Sequence, residues 1–124
     1  MQKMFVVAGV VFVFAAPAAA QSYVAEIDCG MLWQPGDSPP FQVRFEEQAG
    51  QQHSIDVRVV LTRPDGVTNT IVNRNFTLNA NQDLDFTRNI NLPNNALLGD
   101  YDLRVTADDG ALQVSDTCSF DVVQ

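Results

Sequence analysis

Apolar and polar residues alternate along most of this chain, and the alternation marks one face of a succession of short strands. Tyr23, Ala25, Ile27 and Cys29 share a face of the first. After a segment rich in Pro and Gly, Phe41, Val43 and Phe45 alternate with Gln42, Arg44 and Glu46. Ile55, Val57, Val59 and Leu61 alternate with Asp56, Arg58 and Val60 in the clearest strand of all. Arg63-Pro64-Asp65-Gly66 is turn chemistry, with Pro at the first central position and Gly free to take positive φ, so it predicts a hairpin returning through Val67 to Val72. Shorter strands are predicted over Asn75 to Leu78 and Leu84 to Leu92. Leu98-Gly99-Asp100 leads into a face made by Tyr101, Leu103, Val105 and Ala107, and Asp108-Asp109-Gly110 turns the chain. Leu112, Val114, Cys118, Phe120 and Val122 then line the inner face of a last strand. No segment has helical periodicity. Seven or eight short strands separated by turns predict a single all-β, antiparallel sandwich over residues 21–124.

Two charged residues interrupt the inward pattern. Arg88 falls between Phe86 and Ile90, and Asp116 between Val114 and Cys118. If the register holds, both point inward and need partners, because an unpaired buried charge is very costly. The other solution is a bulge that turns each outward.

The first residues are of a different kind. Met1 to Ala20 has Lys3, an apolar run from Met4 to Ala16, and Ala18-Ala19-Ala20 ahead of Gln21, the pattern of a cleaved secretory signal. The apolar run is shorter than the roughly 20 residues that cross a bilayer. Export changes the meaning of Cys29 and Cys118, the only cysteines, which sit in the first and last strands. In an oxidising compartment they have one intramolecular pairing. It would close a loop of about 90 residues, and chain entropy assigns such a closure about 4–5 kcal/mol.

Charge narrows the partners. The formal net charge is −8, and Lys3 is the sole lysine, so the exported part carries six arginines against fifteen acids. That balance repels phosphate backbones and anionic lipid, which excludes nucleic acid and membrane surfaces as expected partners. No cofactor-binding motif is present. Catalysis is not expected either: the sole histidine, His53, falls in the polar stretch Gln51-Gln52-His53-Ser54, a predicted solvated loop, and no nucleophile has a base placed beside it. Asp108 and Asp109 are weak calcium candidates, with Asp100 and Asp102 on the preceding strand, although Asp-Gly is also ordinary hairpin chemistry. Met31-Leu32-Trp33 is the most distinctive stretch: large apolar residues in a predicted loop, including the only tryptophan. It reads either as a cap over the open end of the sandwich or as a recognition surface, since Trp and Met are enriched in interfaces. The edge strand near Thr68 to Asn75 is a second place for a partner, because unpaired edge groups accept a strand.

Leu92-Pro93-Asn94-Asn95-Ala96, followed by Gly99-Asp100-Tyr101-Asp102-Leu103-Arg104-Val105, resembles the end of many bacterial immunoglobulin-like modules, among them the cell-adhesion-related domain of surface proteins. Phe76-Thr77-Leu78 and Pro35-Gly36-Asp37 extend the likeness. It implies an immunoglobulin-like β-sandwich and a role in binding other exported or surface proteins. Phe76-Thr77-Leu78-Asn79-Ala80-Asn81-Gln82 and Val105-Thr106-Ala107-Asp108-Asp109-Gly110 are also similar to the periplasmic chaperone-inhibitors of curli assembly, which implies holding amyloid subunits soluble. The Cys-x-Cys motif of some members of that group is absent, so no redox chemistry carries over.

The sequence therefore predicts a periplasmic or extracellular product starting at Gln21 with no thiol open to alkylation. Intact-mass spectrometry of the exported protein, with and without a thiol reagent, checks both; two alkylated cysteines would contradict the pairing.

Overall fold

The computed structural model describes residues 22–124, so the expected leader lies outside the described residues. Eight strands follow in order: β1 Tyr23–Cys29, β2 Leu32–Trp33, β3 Pro40–Glu47, β4 His53–Thr62, β5 Thr68–Leu78, β6 Asp83–Asn89, β7 Gly99–Asp108 and β8 Gln113–Val122. They form a three-stranded sheet, β1-β3-β6, packed on a five-stranded sheet, β2-β8-β7-β4-β5. The alternation read from the sequence is the reason: in β3, Phe41, Val43 and Phe45 are buried and the residues between them are exposed. β4 and β7 repeat the pattern with Ile55, Val57, Val59 and Leu61, and with Tyr101, Leu103, Val105 and Ala107. All-β architecture and the predicted inward residues are both present.

Four details differ from the sequence expectations. The strands predicted at Val67 to Val72 and Asn75 to Leu78 are one strand, β5, because Asn73, Arg74 and Asn75 stay paired with β4. A register shift opposite Val59/Val60 leaves Ile71 as the extra residue and resets the alternation. The strand predicted to reach Leu92 ends at Asn89; Ile90 and Leu92 stay buried, held by Ile90 N–H to Pro39 O (2.8 Å) and Leu92 N–H to Asp37 O (3.0 Å). Met31-Leu32-Trp33 is not a plain loop, since Leu32 and Trp33 pair in parallel with Asp121 and Val122 of β8. Finally, Arg88 and Asp116 keep their inward register without a bulge. They do not meet. Asp116 Oδ2 accepts the Ile27 N–H of β1 at 3.0 Å, across the gap between the sheets.

That hydrogen bond belongs to a seam. β1 edges the small sheet and β8 lies near the edge of the large one, and Cys29–Cys118 joins them with Cα atoms 6.1 Å apart. At the β7 start, Tyr101 donates its hydroxyl to Leu97 O (2.7 Å) and stacks on Phe120, the arrangement of a tyrosine corner.

The bond spans 89 positions and constrains mainly the unfolded chain. Cys29→Ser is expected to lower the unfolding free energy by about 4 kcal/mol. Denaturant titration of both proteins measures it, and an unchanged midpoint would contradict it.

Candidate functional site

Met31, Leu32 and Trp33 differ sharply in environment. Met31 is 81% and Leu32 63% exposed, whereas Trp33 is half-buried and packs against the core. The indole lies against Gly30, where a Cβ would collide with the ring, so glycine is needed there for close approach. Its Nε1 is buried without a hydrogen-bond partner among the described residues. Backbone bonds fix the segment on β8: Asp121 N–H donates to Met31 O (2.8 Å) and Val123 N–H to Trp33 O (2.9 Å). Trp33 thus takes the capping position and presents Met31 and Leu32 to solvent on a rigid edge.

Beside them stands an acid pair. Asp100 and Asp121 are directly opposite across β7 and β8, and Asp121 is also the register partner of Leu32. The Asp121 carboxyl is raised above its usual range, first by a side-chain hydrogen bond with Asp100, then by desolvation and by the neighbouring negative charge. Two carboxyl groups this close resist ionising together.

At the opposite end, the structure corrects the reading of His53. It is not a solvated loop residue: it opens β4, is 8% exposed, and lies between two carboxylates. Nε2 contacts Glu47 Oε2 at 3.1 Å and Nδ1 contacts Asp109 Oδ2 at 2.9 Å. Each ring nitrogen thus faces a carboxylate oxygen. Tyr23 packs on the ring with centroids 5.0 Å apart and donates its hydroxyl to Leu112 O at 2.6 Å. Burial, followed by the charges of Asp109 and Asp108, pushes the Tyr23 hydroxyl up to about 12.

Glu47 is the centre of this cluster. Its side chain has no exposure, and burial by itself would raise the carboxyl. The hydrogen bonds outweigh burial. Glu47 accepts N–H donors from Asn81 and Gly50 (both 2.8 Å), Ala49 (3.0 Å) and Gln51 (3.2 Å). The bonds from Asn81, Ala49, His53 and Gly50 bring it down to about 2. Asp109, held low chiefly by the Leu112 and Ala111 N–H groups, is likewise committed to its own turn and to His53, while Asp108 accepts Gly110 N–H. Among the described residues no three His, Cys, Asp or Glu side chains converge as metal ligands. The cluster has no side chain left for a substrate: neither histidine nitrogen is free.

The sequence reading missed Glu47. Ending the β3 alternation at Phe45 hid it; one further step of two places Glu47 inward, and one step back from Ile55 does the same for His53.

No protein-family model matches the chain, and no curated protein matches it significantly. Solved structures do. The sporulation control protein Spo0M from Bacillus subtilis matches with a TM-score of 0.63 at 16% identity, over 85% of this chain and 51% of that one. The CARDB domain of the PF1109 protein from Pyrococcus furiosus, solved with di-metal ions, matches at 0.64 with 18% identity, over 82% and 87%. The alkylpurine DNA glycosylase AlkC from Pseudomonas fluorescens matches at 0.67 with 10% identity, over 87% and 32%. The chain spans about half of the sporulation control protein and nearly all of the CARDB domain. Such identities show the fold alone, an immunoglobulin-like β-sandwich.

Two pH effects of opposite sign follow. Glu47 titrates lower in the folded chain than its ordinary 4.5, so its contribution is complete above that pH and is lost as pH falls toward about 2. Thermal melts between pH 7 and 2 are expected to show Glu47→Gln less stable than the parent at neutral pH, with the gap closing across that window. Asp121 is raised, so ionising it above its ordinary 3.8 costs the folded state. Asp121→Asn is therefore expected to raise the melting midpoint at pH 7 and to lose that advantage in acid.

Proposed function

We propose that the protein is a non-catalytic exported module that binds another exported or surface protein, in adhesion or in assembly of an extracellular structure. The observation that carries this reading is the Met31–Leu32 step: two large apolar side chains, 81% and 63% exposed, where the chain enters a strand pinned by backbone bonds and by the buried side of Trp33. Rigid, pre-placed apolar anchors are what a protein interface uses, and holding them in water serves nothing within the domain. The neighbouring Asp100–Asp121 pair adds chemistry to the surface. A partner bringing an apolar contact together with a Lys or Arg would relieve the repulsion between the two acids.

Three further features support the reading. The Cys29–Cys118 bond suits an oxidising location, periplasmic or extracellular. Likeness to a cell-adhesion-related domain suits adhesion at the level of fold. Engagement of both His53 nitrogens by carboxylates argues against general-base chemistry. The narrower role of keeping amyloid subunits soluble rests on the sequence likeness to curli-assembly proteins. It demands that substoichiometric protein delay fibre growth of an amyloid subunit followed with a fibril-sensitive dye; an unaltered lag removes that role.

The general reading is tested by Met31→Ala with Leu32→Ala. The double variant is expected to keep the parental melting midpoint and to weaken capture of a partner pulled from the exported fraction by about 2 kcal/mol or more. Trp33→Ala should instead cost about 2–3 kcal/mol of stability, below a fully buried truncation because the ring is half covered. Undiminished capture by the folded double variant would overturn the assignment of this surface.

A further inference from the structure

The two lateral seams between the sheets are built differently. On one side, β1 and β8 are joined by Cys29–Cys118 and by Asp116 on the Ile27 N–H, and β2 covers the end of β8. On the other side, β5 ends the large sheet and β6 ends the small one, with no strand beside either among the described residues. The closure there is aromatic. Phe76 of β5 stacks on Phe86 of β6, with centroids 5.4 Å apart and an interplanar angle of 12°.

Two arginines attend this pair. The Arg74 guanidinium lies 5.4 Å from the Phe76 centroid and the Arg88 guanidinium 5.8 Å from that of Phe86. In register, Arg74 faces Val57 and Arg88 faces Phe41, both buried, so both arginines leave inward positions; yet both are exposed at the open seam. β5 runs toward the Glu47–His53 end and β6 runs away from it. Arg74 precedes Phe76 and Arg88 follows Phe86, so both cations fall on the same side of the stack. Neither has an acidic partner among the described residues, where the ion pairs are His53 with Glu47, His53 with Asp109, and Arg63 with Asp65.

We propose that this seam docks an extended acidic segment of a partner protein, which adds as a strand along Val72 to Leu78 of β5 and places its inward carboxylates at Arg74 and Arg88. Below the irregularity at Ile71, β5 pairs regularly with β4, so its outer edge presents alternate N–H and C=O groups to solvent. A strand laid there would extend the large sheet over Phe86 and cover the stacked rings. Alternate residues of the added strand face inward, so acids at every second position meet the arginines. An inward charge on an edge strand deters apolar strands and other cationic ones, and it admits one of opposite charge at the facing positions. The chain's overall negative charge does not prevent this, because exposed charges farther off than about 8–10 Å are largely screened at physiological salt. The surface is separate from the Met31–Leu32 step.

The test uses the exported protein and a fluorescein-labelled peptide of about eight residues alternating Glu and Thr, followed by anisotropy and by amide shifts in NMR spectra. The peptide is expected to bind with shifts centred on Val72 to Leu78. Arg74→Glu with Arg88→Glu should weaken it about tenfold, the sum of two exposed pairs turned repulsive. A Lys/Thr peptide should bind the reversed variant better than the parent. N-methylation of alternate peptide amides should abolish binding, whereas Met31→Ala with Leu32→Ala should leave it unchanged. Thermal melts confirm that the reversed variant is folded, and Arg74→Gln with Arg88→Gln substitutes if it is not. No binding of the Glu/Thr peptide at millimolar concentration overturns the proposal, as does equal affinity for the Lys/Thr peptide. Sedimentation showing a dimer that the charge reversals dissolve would replace the acidic segment by a second copy.

Discussion

A carboxylate with no solvent exposure is the constraint around which one end of this sandwich is organised. Glu47 ends β3 on the inward face, and a buried carboxylate persists only when saturated with donors. Supplying them dictates the shape of the segments around it. The Gln48–Gln52 connection curls so that three successive N–H groups point back at the carboxylate, with Gly50 at φ 72°. The β5–β6 turn delivers the N–H of Asn81, itself in the left-handed region at φ 58°. His53 adds a further donor and passes the connection on to Asp109, whose carboxylate closes the β7–β8 turn through Ala111 and Leu112. Three turns from both sheets are thereby fixed to one side chain. Polar networks in a low-dielectric setting are stable when complete, and this one leaves no oxygen of Glu47 unserved.

The opposite end is held by other means. Trp33 on Gly30, the tyrosine corner and the disulfide fix β2, the β6–β7 connection and the β1–β8 seam. With both ends rigid, exposed Met31 and Leu32 are displayed rather than folded away. The buried network and the exposed apolar step thus lie at opposite ends of the sandwich, the charges of the first consumed in structure.

The fold was legible because antiparallel sheets with one wet face write their pattern into the sequence with period two. Ile55 to Leu61 and Tyr101 to Ala107 needed nothing more, and the terminal cysteines fell on the inward parity that a bond across the seam requires. What misled was polarity. His53 sits in a run of polar residues and reads as a loop, because periodicity counts hydrophobicity and is blind to a buried ion cluster. Arg88 and Asp116 looked like register faults for the same reason. Both hold their register and are served locally, one by an aromatic face and an open edge, the other by a backbone N–H of the facing sheet. The Met31–Trp33 stretch was legible as unusual, yet its internal division depended on Gly30, whose missing side chain lets the indole down onto the backbone and turns its neighbours outward.

The edges show how sequence chemistry decides which parts of a sandwich remain sociable. A sheet edge invites strand addition unless something occupies or repels it. At the β1–β8 seam a carboxylate takes an edge N–H and a covalent bond holds the gap, so no strand can be inserted between those two strands. At β5–β6 the same inward parity carries arginine instead of aspartate, and arginine has no acceptor with which to receive an edge N–H. It stacks on a ring and leaves the backbone groups open. The residue type at one inward position on each side thus separates a sealed seam from a selective one.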